Sequence, residues 1–120
     1  LAGQPLPVYG DGKNVRDWIY VEDHCEGVHK VLLQGRPGEV YNLASGKAIT
    51  IRAMLDKLIA LAKVEVKVET DPARLRPSDV EVLIGDSSKF HADTGWEPRI
   101  SFDQTLEDLL NYWRQRIARK

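Results

Sequence analysis

The chain has 120 residues, of which 42% are hydrophobic and 29% charged, the composition of a soluble globular domain or of part of a larger one. Seventeen basic side chains nearly balance eighteen acidic ones, for a net charge of -1, so composition excludes a broad polyanion-binding surface. Any phosphate binding must therefore come from a few placed residues. The single cysteine, Cys25, excludes an intrachain disulfide framework and fits a reducing compartment; we expect a cytoplasmic protein.

The hydropathy and the first residues of the chain lead to further expectations. No apolar run is long enough to span a bilayer, and we expect neither a membrane nor a nucleic acid as partner. The chain begins at Leu1 rather than at a methionine, and its first residues resemble the middle of a longer sequence. We therefore expect a piece of a larger protein.

The first third of the chain predicts two short extended runs and one helix. Turn-forming residues surround the apolar run Leu6–Tyr9, which predicts a brief strand followed by a turn. A second β-prone run is Trp18–Val21. Asp23 is then the predicted cap of a helix that ends near Gly35. Apolar residues at helical spacing predict the buried face of this helix: Cys25, Val28 and Leu32.

The middle of the chain predicts a strand, a helix and a further strand. Val40–Ala44 is typical of a short strand, closed by Ser45 and Gly46. Thr50 is the predicted cap of an amphipathic helix. The apolar face of that helix comprises Ile51, Met54, Leu55, Leu58, Ile59 and Ala62. Three valines then alternate with charged residues, which predicts a strand with one wet face: Val64, Val66 and Val68.

The last part of the chain predicts a polar loop over residues 70–81, a short extended piece at Val82–Ile84 and two helices. The first helix runs from about Ser87 to Thr94 and ends at Gly95. The second begins at Ser101, which has capping-box spacing to Gln104. Its predicted buried stripe is Leu106, Leu109, Leu110, Trp113 and Ile117.

Together these elements predict a mixed α/β fold with about four helices and several short strands. Strands this short support an independent domain poorly. We therefore expect them to be edge pieces that complete a larger sheet.

Two arginine-containing segments are candidates for binding a phosphate. A guanidinium presents a planar fork of donors that matches a phosphate, and Arg16 follows the first turn. On composition alone, a surface arginine paired with Asp17 or Asp23 is the alternative. The second candidate is the loop Arg74–Asp79, whose two arginines and aspartate can grip a diphosphate and a ribose or base. Its alternative is a solvated charged turn.

The strand end at Leu6–Gly10 is a candidate cradle for a flat base, with a structural hairpin as the alternative. Gly10-Asp11-Gly12 lacks a third glycine and a following helix pattern, so it does not predict a cofactor site. Tyr9 and Lys13 have Tyr-x-x-x-Lys spacing, but they lie in a turn rather than on one helix face, and we interpret the match as chance. The histidines show neither metal-ligand spacing nor a catalytic pairing, so no catalytic or metal-binding residue is predicted.

Five strings, taken in order, resemble the extended short-chain dehydrogenase/reductases of the NAD-dependent epimerase/dehydratase family. Leu6-Pro-Val-Tyr-Gly10 and Val15-Arg-Asp-Trp-Ile-Tyr-Val-Glu-Asp-His24 resemble segments of the dTDP-glucose 4,6-dehydratases, and Val40-Tyr-Asn-Leu-Ala-Ser45 is similar to the strand that follows there. Leu75-Arg-Pro-Ser-Asp-Val-Glu-Val-Leu-Ile-Gly-Asp86, with Thr94-Gly-Trp-Glu-Pro98, is closer to the GDP-mannose 4,6-dehydratases and GDP-4-keto-6-deoxymannose reductases. The resemblance covers nearly the whole chain.

This resemblance implies the C-terminal, substrate-binding part of such an enzyme, residues 1–120, with the N-terminal Rossmann domain absent from the chain. In the family that domain binds NAD or NADP and carries the catalytic Tyr-x-x-x-Lys pair. The chain alone is therefore expected to bind no cofactor and to be inactive. The parent protein is expected to be an NAD(P)-dependent nucleotide-sugar dehydratase, epimerase or reductase, and its ligand a GDP- or dTDP-linked sugar.

The resemblance also assigns roles to individual residues. Arg16 is expected to contact the substrate diphosphate, and Arg76 the diphosphate or ribose, with Asp79 on the nucleoside. Asn42 is expected beside the substrate. Pro7, Val8 and Tyr9 are expected to line the base pocket. The alternatives are a non-catalytic nucleotide-sugar-binding or regulatory module and a small structural domain.

Overall fold

The computed structural model describes residues 1–71 and 80–119, and within these ranges it contains five short strands and four helices. The strands are β1 (Leu6–Tyr9), β2 (Val15–Asp17), β3 (Ala48–Thr50), β4 (Val68–Asp71) and β5 (Val82–Leu83). The helices are α1 (Val21–Gln34), α2 (Ile51–Ala62), α3 (Ser88–Thr94) and α4 (Phe102–Ala118). None of the described helices is long and apolar enough to cross a membrane.

The strands form two small sheets, one of two strands and one of three. Strand β1 pairs in parallel with β4, so that Leu6 lies opposite Val68 and Tyr9 opposite Asp71. In the second sheet β2 is central, antiparallel to β3 and parallel to β5. Both parallel pairings join residues that are far apart in sequence. The segment between β4 and β5 therefore leads from one sheet to the other.

Local capping fixes three helix ends where the sequence predicts them. The Thr50 hydroxyl accepts from the N–H of Ala53 at 3.0 Å, and the Ser101 hydroxyl accepts from the N–H of Gln104 at 3.1 Å. Gly95 ends α3 in the left-handed region at φ 66°, where glycine has no steric penalty. A side-chain oxygen at an N-cap contributes about 1 kcal/mol to helix stability.

The first helix differs from the prediction at its start. Its N-cap is Tyr20 and its first residue Val21, so the expectation of a cap at Asp23 is wrong. Asp23 lies inside the helix, 3% exposed, and its carboxylate accepts from the N–H groups of Arg99 (3.1 Å) and Ile100 (2.9 Å). This carboxylate, the Asp23 clamp, ties α1 to the connection between α3 and α4.

The predicted strand at Trp18–Val21 is also wrong, because the strand in this region is β2, three residues earlier. Strand β2 has neighbours on both sides, and residues 18–20 have no partner strand among the described residues. Pairing with β3 and β5 thus outweighs the stronger β-propensity of the aromatic run.

An aromatic cluster forms the centre of the described core. Phe90 and Trp96 are fully buried, with ring centroids 5.2 Å apart, and the Tyr41 ring lies 5.3 Å from Phe90. Such tilted pairs contribute roughly 0.5–1.5 kcal/mol beyond their buried area. Helix α1 packs on this cluster through Gly27, where a Cβ would lie 2.6 Å from Leu43 and 3.1 Å from the Trp96 ring.

Helices α2 and α4 pack against each other. Leu55 of α2 is buried, as predicted for its face, and so are Leu106 and Leu110 of α4. Arg114 of α4 donates to the carbonyls of Leu61 (2.8 Å) and Ala62 (3.3 Å) at the end of α2. A cation at a helix C-terminus is favourable, because it opposes the exposed carbonyl dipoles. The remaining residues of the predicted α4 stripe are between 42% and 46% exposed.

Two predicted features of the first half do not find their partners within the described residues. The expected buried face of α1 is exposed at Cys25, Val28 (52%) and Leu32 (81%), so that prediction is wrong for this chain. Val40–Ala44, predicted as a strand, belongs to neither described sheet.

Candidate functional site

A cleft of about 720 Å³ lies between β2, residues 41–44 and residues 83–86. Its walls come from three parts of the chain that are distant in sequence. Residues lining it include Arg16, Asp17, His24, Asn42, Gly85 and Asp86. The cleft therefore joins one predicted phosphate ligand, Arg16, with one predicted polar contact, Asn42.

The backbone holds the Arg16 side chain at the edge of this cleft. Arg16 lies at the centre of the three-stranded sheet, opposite Ile49 on one side and Leu83 on the other. Its Nη1 donates to the carbonyls of Val15 at 2.8 Å and Val80 at 2.7 Å. The guanidinium is thus partly buried and fixed in orientation. Such a group binds anions, and it cannot act as an acid or base because it keeps its proton.

Asp17 holds the walls of the cleft together. Its Oδ1 accepts from the N–H (2.9 Å) and hydroxyl (2.6 Å) of Ser45, and its Oδ2 accepts from the N–H groups of Gly46 (2.8 Å) and Gly85 (3.3 Å). We call this arrangement the Asp17 clamp. At Gly85 a Cβ would lie 2.3 Å from the Cβ of Ala44, so only glycine permits this close approach.

The clamp also bears on the alternative for Arg16. Asp17 and Asp23 were the two carboxylates considered as surface partners of this arginine, and each of them accepts from backbone N–H groups. Sequence reasoning missed the role of Asp17. The available signal was an aspartate on a short strand followed, 28 residues later, by a Ser-Gly pair that ends a predicted strand.

Asn42 is positioned by its neighbour. The Tyr41 hydroxyl donates to Asp93 Oδ2 at 2.7 Å and accepts from the Arg36 N–H at 3.1 Å, while the Lys89 ammonium lies 5.1 Å from the Tyr41 ring centre. The hydrogen bond from Tyr41, with the charge of Arg36, holds the pKa of Asp93 below its ordinary value. These contacts of the Tyr41 hydroxyl and ring fix the backbone from which Asn42 enters the cleft.

The predicted base-pocket residues lie elsewhere. Pro7 is exposed and Val8 half-buried on β1, in the other sheet, and neither lines the cleft. The Tyr9 side chain, Arg76 and Asp79 lie outside the described residues. The described residues flanking the Arg76 loop connect the two regions: Asp71 pairs with Tyr9, and Val80 accepts from Arg16.

The glycine-rich turn before β2 serves packing. Gly10 and Gly12 both have positive φ, and the Gly12 carbonyl accepts from the N–H of Arg52 at 2.9 Å, at the start of α2. The turn leads into a strand rather than a helix, so it does not fit a dinucleotide pyrophosphate. No group of His, Cys, Asp and Glu within residues 1–71 and 80–119 is arranged to hold a metal ion.

Comparison with known proteins gives consistent matches over most of the chain. The family model for GDP-mannose 4,6 dehydratase matches residues 1–109. The dTDP-glucose 4,6-dehydratase of Xanthomonas campestris is 36% identical, over 94% of this chain and 34% of that protein. The GDP-6-deoxy-D-mannose reductase of Pseudomonas aeruginosa is 34% identical, over 90% of this chain and 36% of that protein.

A solved structure shows the same fold. The dTDP-glucose 4,6-dehydratase DesIV of Streptomyces venezuelae, solved with NAD bound, superposes with a TM-score of 0.87 at 32% identity, over 94% of this chain and 35% of that one. The chain thus spans about a third of the length of the relatives it matches. Its mixed α/β fold corresponds to the C-terminal part of the extended short-chain dehydratases and epimerases, which confirms the predicted fold class.

Proposed function

The chain belongs to the GDP-mannose 4,6-dehydratase family, and on that basis we propose that it is the C-terminal, nucleotide-diphospho-sugar-binding part of an NAD(P)-dependent dehydratase, epimerase or reductase. Its named relatives are enzymes of sugar nucleotides. Under this proposal an N-terminal dinucleotide-binding domain precedes residues 1–120 in the intact, cytoplasmic protein. The chain alone binds no cofactor and is inactive.

The single observation that carries the proposal is the fixed guanidinium of Arg16 in a cleft that also contains Asn42. Within this cleft Arg16 contacts the diphosphate and Asn42 lies beside the substrate. Asp79 is bonded in sequence to Val80, whose carbonyl accepts from Arg16. That connection supports a site in which Arg76 and Asp79 contact the diphosphate, ribose or nucleoside next to Arg16.

The base is proposed to lie toward β1, against Pro7, Val8 and Tyr9. The support is topological: β4 runs beside β1, and the chain continues from β4 to β5, which pairs with the strand that carries Arg16. The string around Arg76 favours a GDP-linked over a dTDP-linked sugar.

In the proposed mechanism this part of the protein supplies binding energy remote from the reaction. NAD or NADP, held by the preceding domain, supplies the hydride chemistry. Arg16 binds the diphosphate and so positions the sugar next to that domain, without itself taking part in a proton step. Holding the diphosphate between fixed donors costs little reorganisation when the substrate binds.

The test is nucleotide-sugar binding to the intact protein by calorimetry, with GDP-mannose and dTDP-glucose as ligands. Arg16→Ala removes a charge-assisted contact worth roughly 1.5–3 kcal/mol, so the Kd should rise about ten- to a hundredfold. Arg16→Lys keeps the charge but loses the fork, and only partial recovery is expected.

Arg99→Ala is the matched control. Arg99 is an exposed arginine whose Nη2 lies 3.1 Å from Glu26, and it does not line the cleft. The proposal fails if Arg16→Ala and Arg99→Ala bind both nucleotide sugars as tightly as the wild type does.

A further inference from the structure

We propose that His24 is a second, pH-dependent anion ligand in the cleft of Arg16, and that its imidazolium form strengthens the binding of a nucleotide-diphospho-sugar. This assignment rests on the proposed function, under which the diphosphate lies beside Arg16. It goes further by naming a ligand that neither the sequence pattern nor the resemblance indicated, and a condition that controls it. The position of the imidazole and the partners of the charged groups around it carry the assignment.

Helix α1 directs His24 toward the cleft. Asp23 and Gly27 form the buried face of this helix. At 3.6 residues per turn His24 lies about 60° from Gly27, on the flank of that face, and it lines the cleft together with Arg16 and Asn42. The imidazole therefore shares the cleft with the guanidinium that is proposed to hold the diphosphate.

The His24 side chain makes no polar contact among the residues that the structure describes. Within these residues neither ring nitrogen has a hydrogen-bond partner, and no carboxylate lies within ion-pair distance of the ring. The other two histidines differ from it: His91 Nδ1 lies 3.0 Å from the Trp96 carbonyl oxygen, and His29 does not line the cleft. Both ring nitrogens of His24 can therefore serve a ligand.

The carboxylates of the cleft already have donors from this chain. Asp17 accepts four hydrogen bonds in the Asp17 clamp. Asp86 accepts from the hydroxyl and the N–H of Ser88, and these hydrogen bonds hold its pKa below the ordinary value. Because both carboxylates are engaged in this way, an incoming diphosphate is the anion that an imidazolium at His24 binds.

The other titratable groups around His24 keep their charge near neutral pH. Arg16 stays protonated, and the Tyr41 hydroxyl donates to Asp93, whereas tyrosine ordinarily loses its proton only at about pH 10. On α1 itself, Tyr20 precedes His24 by one turn, and its pKa is raised by desolvation and by the charge of Asp108. Histidine changes charge between about pH 5 and 8. The difference between the wild type and a variant without the imidazole therefore isolates His24.

Protonation and ligand binding assist each other in this arrangement. Two negative charges beside the imidazole favour its protonation, and the imidazolium donates a charge-assisted hydrogen bond to the diphosphate. The diphosphate itself does not titrate here, because a diphosphate diester lacks the second ionisation that a phosphate monoester has at about pH 6. Binding should therefore tighten as the pH falls.

Calorimetry on the intact protein with GDP-mannose and dTDP-glucose, at about pH 6 and about pH 8, tests the proposal. The wild-type Kd should be roughly five- to tenfold lower at the lower pH, the order of one charge-assisted contact. His24→Gln should remove this difference and bind at both pH values as the wild type does at the higher one. His24→Lys keeps a positive charge throughout and should bind tightly at both.

His29→Gln is the matched control. His29 is an exposed histidine on the same helix, outside the cleft, so this variant should keep the pH dependence of the wild type. An equal pH dependence of the Kd in the wild type and in His24→Gln overturns the proposal, and so does a wild-type Kd that does not change with pH.

Proton uptake is a second measurement, and it needs no variant. The heat of binding to the wild type at about pH 7, compared between buffers of different ionisation enthalpy, should show net uptake of protons. Net release of protons contradicts the assignment.

Arg16→Ala, measured on the same preparations, separates the two proposals. If it weakens binding while His24→Gln keeps the pH dependence of the wild type, the His24 assignment fails and the proposed function stands. If Arg16→Ala binds both nucleotide sugars as tightly as the wild type does, the proposed function itself fails.

Discussion

Replacing Asp17 by alanine should destabilise the intact protein far more than the partial exposure of this residue suggests. The Asp17 clamp accepts four hydrogen bonds, three of them from groups that are at least partly buried: the Ser45 N–H, the Ser45 hydroxyl and the Gly85 N–H. A hydrogen bond to a charged group contributes roughly 1.5–3 kcal/mol, and leaving a partly buried donor unpaired costs about 1–3 kcal/mol. The contributions of these hydrogen bonds are not additive, because they share one carboxylate. The fourth donor, the Gly46 N–H, is exposed and can bond to water instead.

We therefore expect Asp17→Ala to lower the free energy of unfolding by about 2–4 kcal/mol. The same variant should weaken nucleotide-sugar binding, because the clamp joins the strand that carries Arg16 to the segment that follows Asn42. The stability of Asp17→Asn should lie between that of the wild type and that of Asp17→Ala. Its amide oxygen can still accept hydrogen bonds, whereas its NH₂ group faces other donors.

The assay is urea denaturation of the intact protein followed by tryptophan fluorescence, with calorimetry for the ligand. Asp56→Ala is the matched control: this aspartate accepts from Arg52 Nε at 2.9 Å within one exposed helix face. Such an i,i+4 pair contributes only about 0.3–0.5 kcal/mol. If Asp17→Ala costs no more stability than Asp56→Ala, the clamp does not hold the cleft and the reasoning is refuted.

Two further predictions concern the walls of the cleft. Gly85→Ala should cost about 1–3 kcal/mol, because its Cβ would lie 2.3 Å from that of Ala44 and neither atom can rotate away; an unchanged urea midpoint would contradict this. The second prediction concerns Asp93, whose pKa is held below its ordinary value of 3.8 by the Tyr41 hydroxyl and by Arg36. The ionised carboxylate therefore stabilises the fold above pH 3.8, and this stabilisation is lost as the pH falls through the lowered pKa. Tyr41→Phe should move the Asp93 pKa, followed by carboxyl NMR, back up toward 3.8, and no upward movement would refute the assigned cause.

Features set by neighbours in sequence could be predicted well. Helix α2 begins after Thr50 and α4 after Ser101, because a hydroxyl three residues before a helical N–H can cap it locally. Gly95 ends α3 for an equally local reason, a backbone conformation that glycine adopts without strain.

Features set by distant contacts could not be read from spacing. Asp23 has the residue type of a cap, but its partners lie 76 and 77 positions away, and they decide which face of α1 is buried. The apolar positions of α1 were identified correctly as a stripe and assigned wrongly to the core of this chain. Periodicity shows that a face is apolar and not which part of a protein covers it.

The candidate site shows the same contrast between what the sequence predicts and what depends on distant contacts. The resemblance placed Arg16 and Asn42 in one substrate site, and the fold brings both to one cleft. It did not reveal the Asp17 clamp, since that depends on three segments meeting in space. The roles of Pro7, Val8, Tyr9, Arg76 and Asp79 stay predictions.

The Asp23 clamp constrains sequence change unequally on its two sides. The carboxylate accepts from the main-chain N–H groups of Arg99 and Ile100, which every residue except proline supplies. Substitutions other than proline at those two positions therefore leave the contact intact. Loss of Asp23 removes the acceptor, and no side-chain substitution at position 99 or 100 can replace it. Among natural variants of this chain, tolerance at positions 99 and 100 should accompany intolerance at position 23.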